Sequence, residues 1–485
     1  MSFASLVFLL FLPVVFGLHY AVRGRNWQNA VLLMASYVFY GWWDWRYCGL
    51  MLGASLFDYW LGARIAEARS VRSRKWLLAL SLTANLGLLG FFKYFNFFAD
   101  SLAVALSLAG IEVGTSTLSI VLPVGISFYT FQTLSYTLDI YRGRFQPRKD
   151  LLEYLTFVSF FPQLVAGPIE RATDLLPQFS RERTFSPEAA VAGCRLMLWG
   201  FAKKMILADN LGLVADAAFG DVNGASGPVL LLGVICFAFQ IYGDFSGYSD
   251  IAVGVARLFG ITLQRNFAFP YFSQSLTEFW RRWHISLSTW FRDYVFISLG
   301  GSRGTERQTA RNILITFLLS GFWHGAAWHF VIWGALHGTL LVGERCFAGR
   351  NAPPRPEEIP GGATALPPIR VLLRMALTFL IVCIGWIFFR ADTTATAFRI
   401  CGRIVSESVH AEFYAELWQL LLRQQFVLIG LPWFVLVEWL GRRNWNPLRF
   451  DRLPTAGRWL AYAVVMWCIL LLGTQNPADF IYFQF

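Results

Sequence analysis

Charge is what this 485-residue chain has least of: Asp, Glu, Lys and Arg together make up 15% of it, against about 25% in soluble domains. A soluble protein of this size could not cover itself with so few charges, least of all when 56% of its residues are hydrophobic. That excludes a soluble enzyme, and so much apolar surface excludes a disordered chain. The seven cysteines lie scattered, mostly inside apolar runs and with no CxxC, so neither a disulfide scaffold nor a metal cluster is supported. The six histidines come with no HExxH, the pattern a helical zinc site would show. No repeat at a solenoid period and no clear inverted repeat of the transporter kind is present. The first residues, MSFASLVFLLFLPVVFGLHY, lack a basic n-region and a small-residue cleavage site, and read as a retained first span.

What is there is a series of apolar segments, near 3–22, 28–46, 47–63, 76–95, 98–136, 190–208, 227–260, 312–343, 370–390, 425–441 and 458–473. At roughly 20 residues per crossing, with 98–136 and 227–260 long enough for two passes each, the expectation is an all-α polytopic membrane protein of about 11 to 13 spans. The net charge of +11 is split into short basic bursts between these segments. It reads as the orientation signal of cytoplasmic loops rather than a nucleic-acid stripe, and places the N-terminus outside the cytoplasm. Residues 151–168 break the alternation: charged stretches flank them, and they hold Pro162 and Gly167-Pro168. A straight span is disfavoured there, and a re-entrant or broken element, or a membrane-surface helix, is expected. The proline-rich stretch 351–370 reads as a cytoplasmic linker between a core, 1–350, and a C-terminal bundle, 371–485.

In such a chain the informative residues are polar ones at membrane depth, each costly without a partner or a task. Tyr242 to Asp250 (YGDFSGYSD) place two carboxylates, two hydroxyls and two phenols inside an apolar run. They read either as a polar break between two passes or as the wall of a polar chamber containing Asp244, Ser246 and Tyr248. A second cluster, Glu278 to Ser288, has the spacing of an amphipathic interfacial helix. Trp280, Trp283 and Leu287 share one stripe, with Arg281, Arg282 and Ser288 away from it. The arginines could be anchored in headgroups, or could receive the phosphates of a cytosolic cofactor. Third, a helix starting near Asn312 would carry His324, flanked by Gly321 and Gly325, about 18 Å along its axis and near the bilayer midplane. A neutral imidazole there is either a core histidine bonded between helices or a general base. The match Gly300-Gly301-Ser302-Arg303-Gly304 to a nucleophile elbow lacks the strand before it and is set aside.

Two stretches, FWRRWHISLSTWFRDYVFISLGG (279–301) and FLLSGFWHGAAWHFVIWGALHG (317–338), resemble the signature of the membrane-bound O-acyltransferase (MBOAT) family, in its bacterial exopolysaccharide, alginate-type O-acetyltransferase branch. LPVGISFYTFQTLSY (122–136), FPQLVAGPIER (161–171), DFSGYSDIAVG (244–254) and NFAFPYFSQS (266–275) are similar to the same branch. Gly243 is a departure, where a larger residue is common, and Ser302 stands where Asn often does. The resemblance implies a ring of helices around a waist, in the bacterial inner membrane, with His324 catalytic and His284 at the family's second position. It implies acetyl-CoA or another acyl thioester as donor substrate, with no tightly bound cofactor or metal. Donor and substrate contacts would come from Asp244, Ser246, Tyr248, Trp280, Arg281, Arg282, Trp283, Ser288 and Trp323, and from Tyr129 and Gln132 in the 122–136 stretch. Membrane lipid and periplasmic acetyltransferase or polysaccharide-modifying proteins are the implied partners, with no nucleic acid. A multi-pass transporter and a non-catalytic scaffold of a polysaccharide secretion complex are the competing readings.

Overall fold

The computed structural model describes residues 1–112, 114, 118–165, 167–348, 366–451, 453–474 and 480–483. Among them every regular element is helical, in agreement with the all-α expectation. Among the described residues four helices are long and apolar enough to cross a membrane: Val71–Leu108, Gly227–Leu258, Ile369–Arg390 and Thr455–Leu472. A fifth crossing is available if Ala411–Arg423 and Gln425–Gly441, bent by 78°, act together. Other apolar segments carry too much polarity or are too short to meet that measure alone. The Glu306–His324 helix opens with Glu306, Arg307 and Arg311, and Leu6–Ala21 has 16 residues. Most of the proline-rich 351–370 stretch lies outside the described residues.

The described residues form two compact units, Met1–Gly193 with Ala252–Gln264, and Cys194–Ile251 with Arg265–Phe485. In the first, side-chain caps start several helices: Ser5 accepts from Phe8, Ser70 from Ser73, and Asp150 from Leu152 and Glu153, satisfying amides no helical turn can reach. One buried polar cluster here is paired across helices. Asp58, on Arg46–Glu67, accepts from the Ser81 hydroxyl at 2.7 Å and the Asn85 amide at 2.8 Å, both on Val71–Leu89. Residues 151–164 are the broken element the prolines suggested. A nine-residue helix, Leu151–Ser159, rises only about 13 Å before the chain turns at Phe160 into Phe161–Leu164.

Gly227–Leu258, most of which belongs to the second unit, is a single helix of 32 residues, so its polar centre does not divide it into two passes. The compensation comes from a π-helical segment, Ala202–Ala208, which turns consecutive lysines inward. Lys203 Nζ meets Asp250 at 2.7 Å and Lys204 Nζ meets Asp244 at 2.9 Å. Close approach depends on glycine. A Cβ on Gly200 would stand 2.6 Å from the Gly247 carbonyl oxygen, and one on Gly247 2.8 Å from that of Gly200. Gly243 likewise faces Leu207 and the Lys203 carbonyl, which accounts for the small residue there. The Glu306–His324 helix begins six residues before Asn312, on a Thr305/Gln308 capping box, and His324 is its last residue. The histidine is therefore about 27 Å from the helix start rather than 18 Å. Gly321 and Gly334 let this helix lie directly against Trp328–Ala348, and Gly325 makes room for the Phe330 ring.

Candidate active site

The interfacial helix expected across 278–288 is interrupted. Leu276–Arg282 ends, His284 takes a left-handed backbone (φ 42°, ψ 55°), and Ile285–Phe291 begins. A β-carbon-bearing residue held there costs on the order of 1–3 kcal/mol, and its surroundings must enforce it. Asn266 does so. Its carbonyl accepts the Ile285 N–H at 2.9 Å. Its side-chain Oδ1 accepts the Ser286 N–H at 3.2 Å and the Ser286 hydroxyl at 3.0 Å, and lies 3.1 Å from His284 Nδ1.

That arrangement sets the proton on His284. A backbone N–H can only donate, so the Asn266 atom facing Ser286 is the amide oxygen. Nδ1 of His284 must then be the donor to that oxygen, which makes Nε2 the basic nitrogen of the neutral ring. The ring is fully buried, edge-on to Phe245 at 4.6 Å between centroids.

His284 and His324 meet through other rings. Trp323 lies 6.3 Å from His284 and 5.0 Å from His324. Tyr482 lies 6.4 Å from His284 and 5.9 Å from His324. Tyr482 is held in turn by Phe245 at 4.6 Å, and its neighbour Ile481 donates its N–H to Asp244 Oδ2 at 2.6 Å. On its other side His324 packs on Trp333 at 4.9 Å, and Trp333 on Trp280 at 5.5 Å.

Trp280 forms a wall of a cavity of about 760 Å³ whose lining also includes Arg281, Ser288, Arg292, Ser320 and Arg345. One indole thus separates the cavity wall from His324. Arg292 pairs with Asp293 and Arg345 with Glu306, each within 2.8 Å.

Of the residues singled out from the sequence, the second unit brings His284, His324, Trp323 and Trp280 into one aromatic cluster, with Arg281 and Ser288 along the adjoining cavity. Asp244 is buried with its carboxylate committed to Lys204 and Ile481. Ser246 and Tyr248 are buried on the same helix, Tyr248 against Phe480 at 4.7 Å. Arg282 does not face the cavity. It is 1% exposed, pairs with Glu278 at 2.8 Å and donates to the Ala268 carbonyl at 3.1 Å. Trp283 is likewise inside, against Phe267 and Trp386. Tyr129 and Gln132 belong to the first unit, where Gln132 and Gln163 both donate to the Phe157 carbonyl, at 2.7 and 2.6 Å. Sequence reasoning missed Asn266 and Tyr482. Asn266 opens the NFAFPYFSQS stretch and so carried a signal, whereas nothing marked Tyr482 beyond an aromatic run.

Comparison with known proteins agrees with this architecture. Residues 148–358 match the model of the MBOAT, membrane-bound O-acyltransferase family. A probable alginate O-acetylase of Azotobacter vinelandii is 45% identical over 84% of this chain and 78% of its own length. Another, from Pseudomonas putida, is 39% identical over the whole of both chains. A peptidoglycan O-acetyltransferase of Helicobacter pylori is 33% identical over 81% of this chain and 78% of its own. The all-helical fold, the apolar spans and these relatives together establish the chain as a membrane-bound O-acyltransferase, a member of the MBOAT family.

Proposed function

We propose that this enzyme moves an acetyl group from a cytosolic thioester, acetyl-CoA, towards O-acetylation of an exopolysaccharide such as alginate, from the bacterial inner membrane. The observation that carries the reading is the convergence of His284 and His324 on Trp323 and Tyr482, with Trp333 between His324 and the Trp280 wall of an arginine-lined cavity. The cavity suits the donor. Its apolar walls accept a thioester arm, while Arg281, with Arg292 and Arg345, supplies charged donors for phosphate oxygens. His324 takes the proton from an acceptor hydroxyl as that oxygen attacks the thioester carbonyl, and the thiol leaves with a proton. In a two-step variant His324 carries the acetyl group itself. His284, with Nδ1 donating to Asn266, presents Nε2 as a hydrogen-bond acceptor that orients the reacting groups. Its relatives named as alginate O-acetylases support a glycan as the final acceptor, with periplasmic acetyltransferases completing delivery.

The test is incubation of the purified protein, in lipid, with radiolabelled acetyl-CoA. Transfer of label to protein or acceptor supports the reading. Label carried across the bilayer without transfer would indicate a transporter, and neither outcome a scaffold.

A further inference from the structure

The buried charges beside the site have a second consequence. Lys204 Nζ lies between Asp209 at 2.8 Å and Asp244 at 2.9 Å, all three almost wholly buried. Asp244 spends one oxygen on that lysine and the other on the Ile481 N–H, at 2.6 Å. Phe480, on the preceding position, packs on Tyr248 and Phe245, and Tyr482, on the following one, on Phe245. Residues 481–483 form a single 3₁₀ turn with Ile481 at its start, too short to hold itself in place. A charge-assisted hydrogen bond and the rings around it anchor the turn, and the Tyr482 ring stands against both histidines as a result.

We propose that Asp244, oriented by Lys204 and Asp209, is a positioning residue: it latches residues 480–482 so that Tyr482 completes the wall between His284 and His324, and it does not itself bind substrate. This rests on the acyl-transfer reading for its effect on rate, though not for its effect on position. A carboxylate accepting from a backbone amide is a strong, directional bond. An uncompensated carboxylate at this depth would be costly, which is what Lys204 prevents.

Two substitutions separate the bond from the charge. Ile481→Pro removes the N–H while suiting the first position of a helical turn, and leaves the buried ion pair intact; Ile481→Ala, which keeps the N–H, controls for the lost side chain. Asp244→Asn keeps an oxygen acceptor for that N–H. A photo-crosslinking amino acid in place of Tyr482 reports where the segment lies, independently of activity. The expected result is a crosslink to the segment containing Trp323 and His324 in the parent. That crosslink should fall at least fivefold with Ile481→Pro and largely survive with Asp244→Asn and Ile481→Ala. Acyl transfer should fall at least tenfold with Ile481→Pro, and by less than twofold further when Ile481→Pro is added to Tyr482→Ala, since coupled residues are not additive. A crosslink unchanged by Ile481→Pro, or fully multiplicative losses in the pair, would overturn the latch. Activity retained in His324→Ala would instead remove the acyl-transfer reading while leaving the crosslink result standing.

Discussion

Asn266 Oδ1 stands 3.1 Å from His284 Nδ1 and also accepts from both donors of Ser286. One amide oxygen thereby fixes a left-handed backbone, a ring orientation and a tautomer. Asn266→Ala should reduce kcat by about 100-fold, the lower end of the range attributed to a positioned acid–base group. The KM for the acyl donor should change little. Steady-state kinetics on purified protein check this, and a pure KM effect would place His284 in donor binding alone.

Adjacent arginines should behave in opposite ways. Arg282 is sealed inside with Glu278, and removing one partner of a buried pair costs about 3–5 kcal/mol. Arg282→Ala is expected to lose folded protein by size-exclusion chromatography in detergent. Arg281 lines the cavity, so Arg281→Ala should leave the protein folded and raise the KM for acetyl-CoA several-fold. The same change should have less effect with an acetyl thioester lacking phosphates.

Packing between Glu306–His324 and Trp328–Ala348 leaves no room for a methyl group at Gly321, whose Cβ would enter the Phe330 carbonyl. Gly321→Ala should therefore destabilise by about 1–3 kcal/mol, the usual scale of overpacking. Lower retention of monodisperse protein after a heat step measures it, and wild-type retention would mean that the two helices separate easily.

Glu170, between Phe161–Leu164 and Ala172–Phe179, has its carboxyl pushed up to about 8 by burial, with the nearby Asp174 charge adding to it. The Gln264 N–H, 2.6 Å away, works against that shift. A carboxyl whose pKa is raised on folding binds its proton more tightly in the native state. Its contribution is present in full below the unfolded value near 4.5 and is lost as pH rises to about 8. Thermal stability should fall across that window in the parent, and Glu170→Gln should flatten the fall. Equal slopes for the two proteins would contradict the assignment.

Much of this was legible in the residues themselves. The scarcity of charge announced a membrane protein, and the motifs around 279–301 and 317–338 marked His284 and His324. What escaped depended on distant partners. Helical spacing placed Arg282 with Arg281, although Glu278 one turn back already offered the i,i+4 partner that draws it inward. The polar centre of Gly227–Leu258 read as a break or a chamber wall because its counter-charges, Lys203 and Lys204, lie some forty residues upstream on a π-helical turn. The kink at His284 is imposed by Asn266, and Tyr482 reaches the site from far along the chain, so neither shows in local periodicity.

The proposed acyl transfer depends on His324. Its most direct test is His324→Ala, with polymer acetyl content and label transfer from acetyl-CoA measured on protein shown to be folded in the membrane. Both should fall to background while the protein's amount and its detergent elution profile match the parent. Acetylation persisting at the parental level in the folded variant would contradict it.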